Sequence, residues 1–185
     1  MKDIKNQIED LLKATGRRGI EDLLVWMDEN GFYNAPCSSK FHLAEPGGLA
    51  KHSLNVFKNA MSMINGLYLD QGKILSFDLC TSATICALLH DLGKAGQYGK
   101  PNYIYNDDLP FGGEYHTNKE LLYIPHEVRS IAIASRFIEL TEEEQFAILY
   151  HNGLYGELQS IKNHETELYM ILHFADMWAC RVTEK

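Results

Sequence analysis

Long apolar runs are missing from this 185-residue sequence. No segment approaches the roughly 18 residues that a membrane span needs. The N-terminal stretch MKDIKNQIEDLLKATGRR alternates charged and apolar residues and lacks the apolar core of a signal peptide, which predicts a cytoplasmic protein with no membrane partner. Basic clusters are scarce as well. The formal net charge is −8 and the densest cationic pair is Arg17-Arg18, which argues against binding long nucleic-acid duplexes, a mode that needs many phosphate contacts. A small phosphorylated substrate stays open, because a metal ion can supply local positive charge. The four cysteines, Cys37, Cys80, Cys86 and Cys180, form no CxxC pair. Cys80 and Cys86 fall in an apolar helical pattern, as reduced core residues do. No strand signal and no internal repeat stands out.

What is present is helical periodicity, over a length that suits one domain, or one domain with a small appendage. Residues 3–14 place Ile4, Ile8, Leu11 and Leu12 at helical spacing after Asp3, a candidate N-cap. GIEDLLVWMDENG (19–31) predicts a second short helix stopped by Gly31. Residues 32–48 hold two prolines and adjacent glycines and predict irregular chain. LAKHSLNVFKNAMSMING (49–66) predicts a helix, and SFDLCTSATICALLHDLG (76–93), apolar nearly all round, predicts a central one. Residues 94–124 are rich in Gly, Pro, Asn and Tyr and predict a long connection of functional use. HEVRSIAIASRFIEL (126–140) and TEEEQFAILYHNG (141–153) predict a helical hairpin, with Thr141 and Glu144 as a capping box. Residues 163–185 predict a last long helix. The expected class is all-α, with residues 1–35 as a helical appendage that covers the core or contacts another copy, and 36–185 as the main domain.

Within this scheme the histidines gather. His52 lies about 13 residues from the turn joining its helix to the next, and His90 about 12 residues beyond it, each near 20 Å of helix. The two imidazoles therefore finish at one end of the hairpin. His126 opens the second hairpin and His151 closes it, again at a shared end. Asp176 falls inside ILHFADMWA, where a bare carboxylate is poorly tolerated. His52, His90, Asp91, His126, His151 and Asp176 are thus candidates for one convergent site. Nitrogen and carboxylate donors in this mixture suit one or two ions of Mn, Fe, Co, Ni or Zn, with Mg also admissible. Plainer readings remain: a buried hydrogen-bonded His90–Asp91 pair, His126 at an exposed helix start, His151 as a cation near a helix C-terminus, and Asp176 on an exposed helix face.

These segments resemble the HD-domain superfamily of metal-dependent phosphohydrolases, small bacterial and phage-type members above all. The resemblance covers roughly residues 36–180. GGLAKHSLNV (47–56) is similar to the family's first-histidine motif and LLHDLGK (88–94) to its His-Asp doublet. IPHEVRSIAIASRFIELTEEEQFAILYHNG (124–153) and HFADMWA (173–179) are similar to the segments that carry two further histidines and the final aspartate. The resemblance implies a mononuclear core of His52, His90, Asp91 and Asp176, with His126 and His151 holding a second ion that Asp91 bridges. It implies that Lys94 lies close to the substrate phosphate, so that Asp91 and Lys94 are the catalytic pair. It also implies that Ser39, Lys40 and His42, in CSSKFH (37–42), line the pocket, and that loop 96–119, with LPFGGEYHTNK, shapes the substrate cleft. Lys94 as a simple helix-end cation is the plainer alternative.

The expected activity is hydrolysis of a phosphoester or phosphoanhydride in a nucleotide-like substrate by metal-activated water. The alternatives are a mixed-valent di-iron oxygenase of the same superfamily and a non-catalytic nucleotide-sensing module. His173, one turn before Asp176, is expected to be a core or supporting imidazole rather than a ligand, and His116 and His164 to be surface residues. Tyr98, Tyr103, Tyr105 and Tyr115 are candidates for stacking on a base or for anchoring their loop.

Overall fold

The computed structural model describes residues 3–107, 114–153, 161 and 163–185. Part of LPFGGEYHTNK therefore lies outside the described residues. Among the described residues there are seven α-helices: α1 (Ile4–Ala14), α2 (Ile20–Glu29), α3 (Gly48–Asp70), α4 (Phe77–Leu89), α5 (His126–Ala134), α6 (Glu142–Tyr150) and α7 (Glu167–Trp178). The architecture is a helical bundle, and among the described residues no helix is long and apolar enough to cross a membrane.

Helix α4 is the axis of the bundle, as its all-round apolarity requires. Ala83, Ile85, Cys86, Ala87, Leu88 and Leu89 are buried on it, and it packs against α1, α3, α6 and α7. α3 runs antiparallel to it and extends one turn past the expected end, to Asp70. Helix α1 brings Ile8 and Leu12, and α2 brings Leu23 and Met27, into the same core as Leu49 and Leu88. Side chains cap three helices: Ser76 Oγ accepts from Leu79 N–H, Thr166 Oγ from Tyr169 N–H, and Thr141 with Glu144 forms the full capping box.

Two expectations change. The long connection expected at 94–124, in a chain with no strand signal, contains two short antiparallel ribbons, β1 (Gly96–Gln97) with β2 (Lys100–Pro101), and β3 (Tyr103–Asn106) with β4 (Glu114–Thr117). Aromatic and β-branched residues in Tyr103-Ile104-Tyr105 favour a strand, but the surrounding Gly, Pro and Asn dilute that signal. The last helix begins at Glu167, later than expected, and gives way after Trp178 to a π-helical turn, Ala179–Thr183.

Candidate metal centre

Five elements deliver six side chains to one end of the bundle. His52 lies in the second turn of α3. His90 caps the C-terminus of α4, and Asp91 follows it with φ −102° and ψ 11°, outside the helix. His126 opens α5, His151 caps the C-terminus of α6, and Asp176 lies in α7. Two glycines permit the close approach. A Cβ on Gly93 would overlap the His126 carbonyl oxygen. Gly93 N–H instead donates to Ser130 Oγ at 2.8 Å, and that hydroxyl donates to the His126 carbonyl at 2.8 Å. Gly153, at φ 54°, leaves room for the ring of His173. His173 Nδ1–H donates to the His151 carbonyl at 2.7 Å, so it braces a candidate ligand and does not join the cluster.

The donor atoms face one another. His52 Nε2 lies 3.2 Å from His90 Nε2, 3.2 Å from Asp176 Oδ1 and 3.6 Å from Asp91 Oδ2. On the other side, Asp91 Oδ1 lies 3.1 Å from His126 Nε2 and 3.6 Å from His151 Nε2. The Asp91 carboxylate thus stands between two pairs of imidazoles, one oxygen toward each. Lys94 Nζ donates to Asp91 Oδ2 at 2.7 Å from the turn Leu92–Ala95. His52, His90, Asp91 and His151 are almost fully buried, while the His126 side chain keeps 27% of its exposure.

Whether these residues fit a cation can be judged from their protons. His90 Nδ1–H donates to Ala87 O at 3.0 Å and His151 Nδ1–H to Ile148 O at 2.7 Å, and a carbonyl can only accept. His52 Nδ1 lies 3.1 Å from both Glu184 carboxylate oxygens, which fixes its proton in the same way. In neutral His90 and His151 each Nε2 then turns a lone pair toward Asp91 and the other rings, whereas His52 Nε2, 3.2 Å from Asp176 Oδ1, donates to that carboxylate when its ring is protonated. Asp91 Oδ1 is buried and accepts no hydrogen bond. Bare lone pairs around an orphaned carboxylate oxygen are repulsive unless a cation stands among them, so the residues fit a metal ion.

The proton affinities of His90, His151 and both aspartates agree. Burial pushes the His90 imidazole down and His151 down to about 4, disfavouring imidazolium. Burial alone would raise the Asp91 carboxyl, but Lys94 and His90 hold it well below the carboxylate range. Asp176 is held far below that range against burial by its hydrogen bond with His52. Burial opposes a proton on His52 too, yet Cys37 and the carboxylates of Asp176 and Glu184 leave its affinity well above normal, so a cation bound here would displace that proton. The centre is an anionic pocket lined by nitrogen donors.

Of the three upstream residues, His42 alone reaches the cluster, its ring 5.1 Å from that of His52. Lys40 is exposed and pairs instead with Glu114 on β4, at 3.1 Å. Ser39 is partly exposed and lines neither of the two cavities beside the centre. The first cavity, about 530 Å³, is lined by Phe41, His42, His151, Asp176, Cys180 and Glu184. The second, about 770 Å³, lies between α5 and the β3–β4 ribbon, with Tyr103, His116, His126, Arg129 and Asn152 among its walls. Tyr105 and Tyr115 pack on each other, ring centroids 5.0 Å apart, and Tyr98 is exposed. His164 is exposed as well.

Glu184, Cys180 and Cys37 went unnoticed in the sequence. Cys180 follows Asp176 by four residues and so shares its helix face, a signal that was available. Glu184 and Cys37 carry no spacing signal, because their partners are distant along the chain. Compared with family models, with curated proteins and with solved structures, the chain matches none.

Proposed function

We propose that this chain is a metal-dependent phosphohydrolase of the HD-domain type, acting on a small, nucleotide-like phosphoester or phosphoanhydride. The observation that carries the reading is the Asp91 carboxylate, divided between the His52/His90 pair and the His126/His151 pair with the Lys94 ammonium on one of its oxygens. His52, His90, Asp91 and Asp176 would hold one ion, and His126, His151 and Asp91 a second. Divalent ions in such a site supply Lewis-acid stabilisation of phosphoryl charge and activation of water.

The chain's own residues do the rest. Asp91 spans both positions and keeps them in register. Lys94 has three N–H donors, of which Asp91 takes one, so the ammonium can also meet a non-bridging phosphoryl oxygen. Burial lowers its proton affinity, but Asp91 holds that affinity well above normal, so the charge persists. Arg129 adds a second cation beside the larger cavity. It is buried and is fixed by Asn102 Oδ1 and the Leu122 carbonyl, both at 2.9 Å, with no carboxylate at ion-pair distance among the described residues. Two cations beside the centre, Arg129 buried and Lys94 with 14% of its side chain exposed, favour, in a chain of net charge −8, an anionic substrate entering past the partly exposed His126.

The test is to strip the purified protein of metal, restore Mn, Co, Ni or Mg separately, and assay a panel of nucleotides and simple phosphoesters. Phosphate release with at least one metal is expected, with loss of about 10²-fold or more in Asp91→Ala. Inactivity with every metal and substrate, or undiminished turnover in the variant, overturns the reading. Oxygen consumption by an iron-loaded sample would favour the oxygenase alternative.

A further inference from the structure

Beside His52 a second set of donors closes on His42. Loop 37–42 supplies Cys37 and His42, and the π-helical turn after α7 supplies Cys180, with Glu184 directly following. His42 Nε2 lies 3.3 Å from Cys37 Sγ, 3.3 Å from Cys180 Sγ and 3.9 Å from Glu184 Oε2. One ligand atom each from His42, His52, Cys180 and Glu184 falls within 4.8 Å of the others. The π turn, closed by the bond from Glu184 N–H to the Ala179 carbonyl at 3.0 Å, is a rare conformation that concentrates at functional sites.

We propose that His42, Cys180 and Glu184 form a separate site for a soft divalent cation of the Zn²⁺ kind, with a fourth position left to solvent. The separations are of the right size: a tetrahedron with bonds of about 2.0 Å to nitrogen and 2.3 Å to sulfur has N–S edges of about 3.5 Å. The donor types are selective, since thiolate with imidazole prefers zinc-like ions over Mg or Mn. Glu184 is prepared for the role. Asn55 Nδ2 donates to its Oε1 at 3.0 Å and His52 Nδ1–H lies between its two oxygens, while Oε2 is the oxygen nearer His42. The 530 Å³ cavity gives an ion access to His42, Cys180 and Glu184.

Occupancy also has a consequence for the neighbouring centre. Cys180 Sγ–H donates to Asp176 Oδ1 at 3.4 Å. On binding, the Cys180 thiol loses its proton to solvent and becomes a thiolate ligand. That removes the Cys180 hydrogen bond from the Asp176 oxygen facing His52, while Glu184 continues to orient His52. The proposal does not depend on the phosphohydrolase reading, because it concerns sulfur ligation only.

The experiment is a Co²⁺ titration of the metal-free, full-length, reduced protein, followed by absorption spectroscopy. A strong near-ultraviolet thiolate-to-cobalt charge-transfer band is expected, displaced by Zn²⁺. The six His and Asp side chains of the first centre contribute only weak visible bands, and a band owed to Cys37, whose Sγ lies 4.0 Å from Asp91 Oδ2, would survive in Cys180→Ser, so the two centres are read separately. The band should be lost in Cys180→Ser and retained in Cys80→Ser, which alters a cysteine of α4 remote from His42. Absence of the band in the wild-type protein overturns the proposal, as does a band undiminished in Cys180→Ser. The wild-type spectrum decides the matter even should the variant fail to fold.

Discussion

The two oxygens of Asp91 do different work. Oδ2 takes the Lys94 ammonium and faces His52 and His90, whereas Oδ1 is orphaned between His126 and His151. Of these imidazoles His126 is the most exposed, and it anchors only the Oδ1 side. His126→Ala should therefore remove one of the two ions of this centre and leave the other, without unfolding the chain, because a side chain that keeps about a quarter of its exposure at a helix start contributes little to the core. Elemental analysis after dialysis against limiting metal measures this: the wild type should retain one ion per chain more than the variant. Equal content would mean that the Oδ1 side holds no ion. At this scale the His90–Asp91 doublet was legible because adjacent polar groups at the end of an apolar helix need a compensating partner. Glu184 was not legible. Its partner His52 lies 132 positions away, and nothing local marks a carboxylate that will be buried against an imidazole.

At the scale of elements, the start of α6 joins the hairpin to the N-terminal helices. Glu144 closes the capping box and also receives Arg17 in a two-pronged pair, with Nη1 at 3.0 Å and Nη2 at 2.7 Å, and the Ser82 hydroxyl at 2.8 Å. Its side chain is fully buried, and that of Arg17 keeps one-fifth of its exposure. Glu144→Ala leaves Arg17 unpaired at the boundary of the core and should cost about 3 kcal/mol, the low end for breaking a buried pair. Urea unfolding measures it. The pH dependence follows from the same contacts. Burial raises the Glu144 carboxyl, but Arg17, the Thr141 N–H and Ser82 hold it below its ordinary 4.5. A carboxyl depressed on folding stabilises the fold fully above about pH 4.5 and loses that contribution as pH falls through the folded value. Glu144→Gln should accordingly flatten the acid limb of the stability curve below pH 4.5 while leaving its slope above pH 6 unchanged. The capping box was readable from Thr141 and Glu144 alone, because capping is local. Arg17 was not, being 127 positions distant. The β3–β4 ribbon was missed for the opposite reason: its local strand signal is four residues long and surrounded by turn formers.

For the whole molecule, one core and one charged centre set the behaviour on heating. Ile8, Leu12, Leu23 and Met27 of α1 and α2 pack in the same cluster as Leu49, Leu88 and Ile148, so the N-terminal helices should melt with the rest in a single cooperative transition. Calorimetry showing an early, separate transition would assign residues 1–35 an independent stability. The centre adds a metal-dependent increment to that transition. In the metal-free chain the carboxylates of Asp91 and Asp176 stand buried among imidazoles, with Lys94 and the proton of His52 as the nearby positive charges. A divalent ion that binds only the folded state shifts the folding equilibrium by about 2.7 kcal/mol at 100 times its dissociation constant. For a chain of this size each kcal/mol raises Tm by about 2–4 °C, which makes the expected shift about 5–10 °C. Chelator should reverse it. Asp91→Asn, which weakens both candidate ion positions at once, should melt at the same temperature with and without metal. A variant that still responds fully would place the stabilising ion elsewhere, and the response of Cys180→Ser would then show whether that place is the His42 cluster.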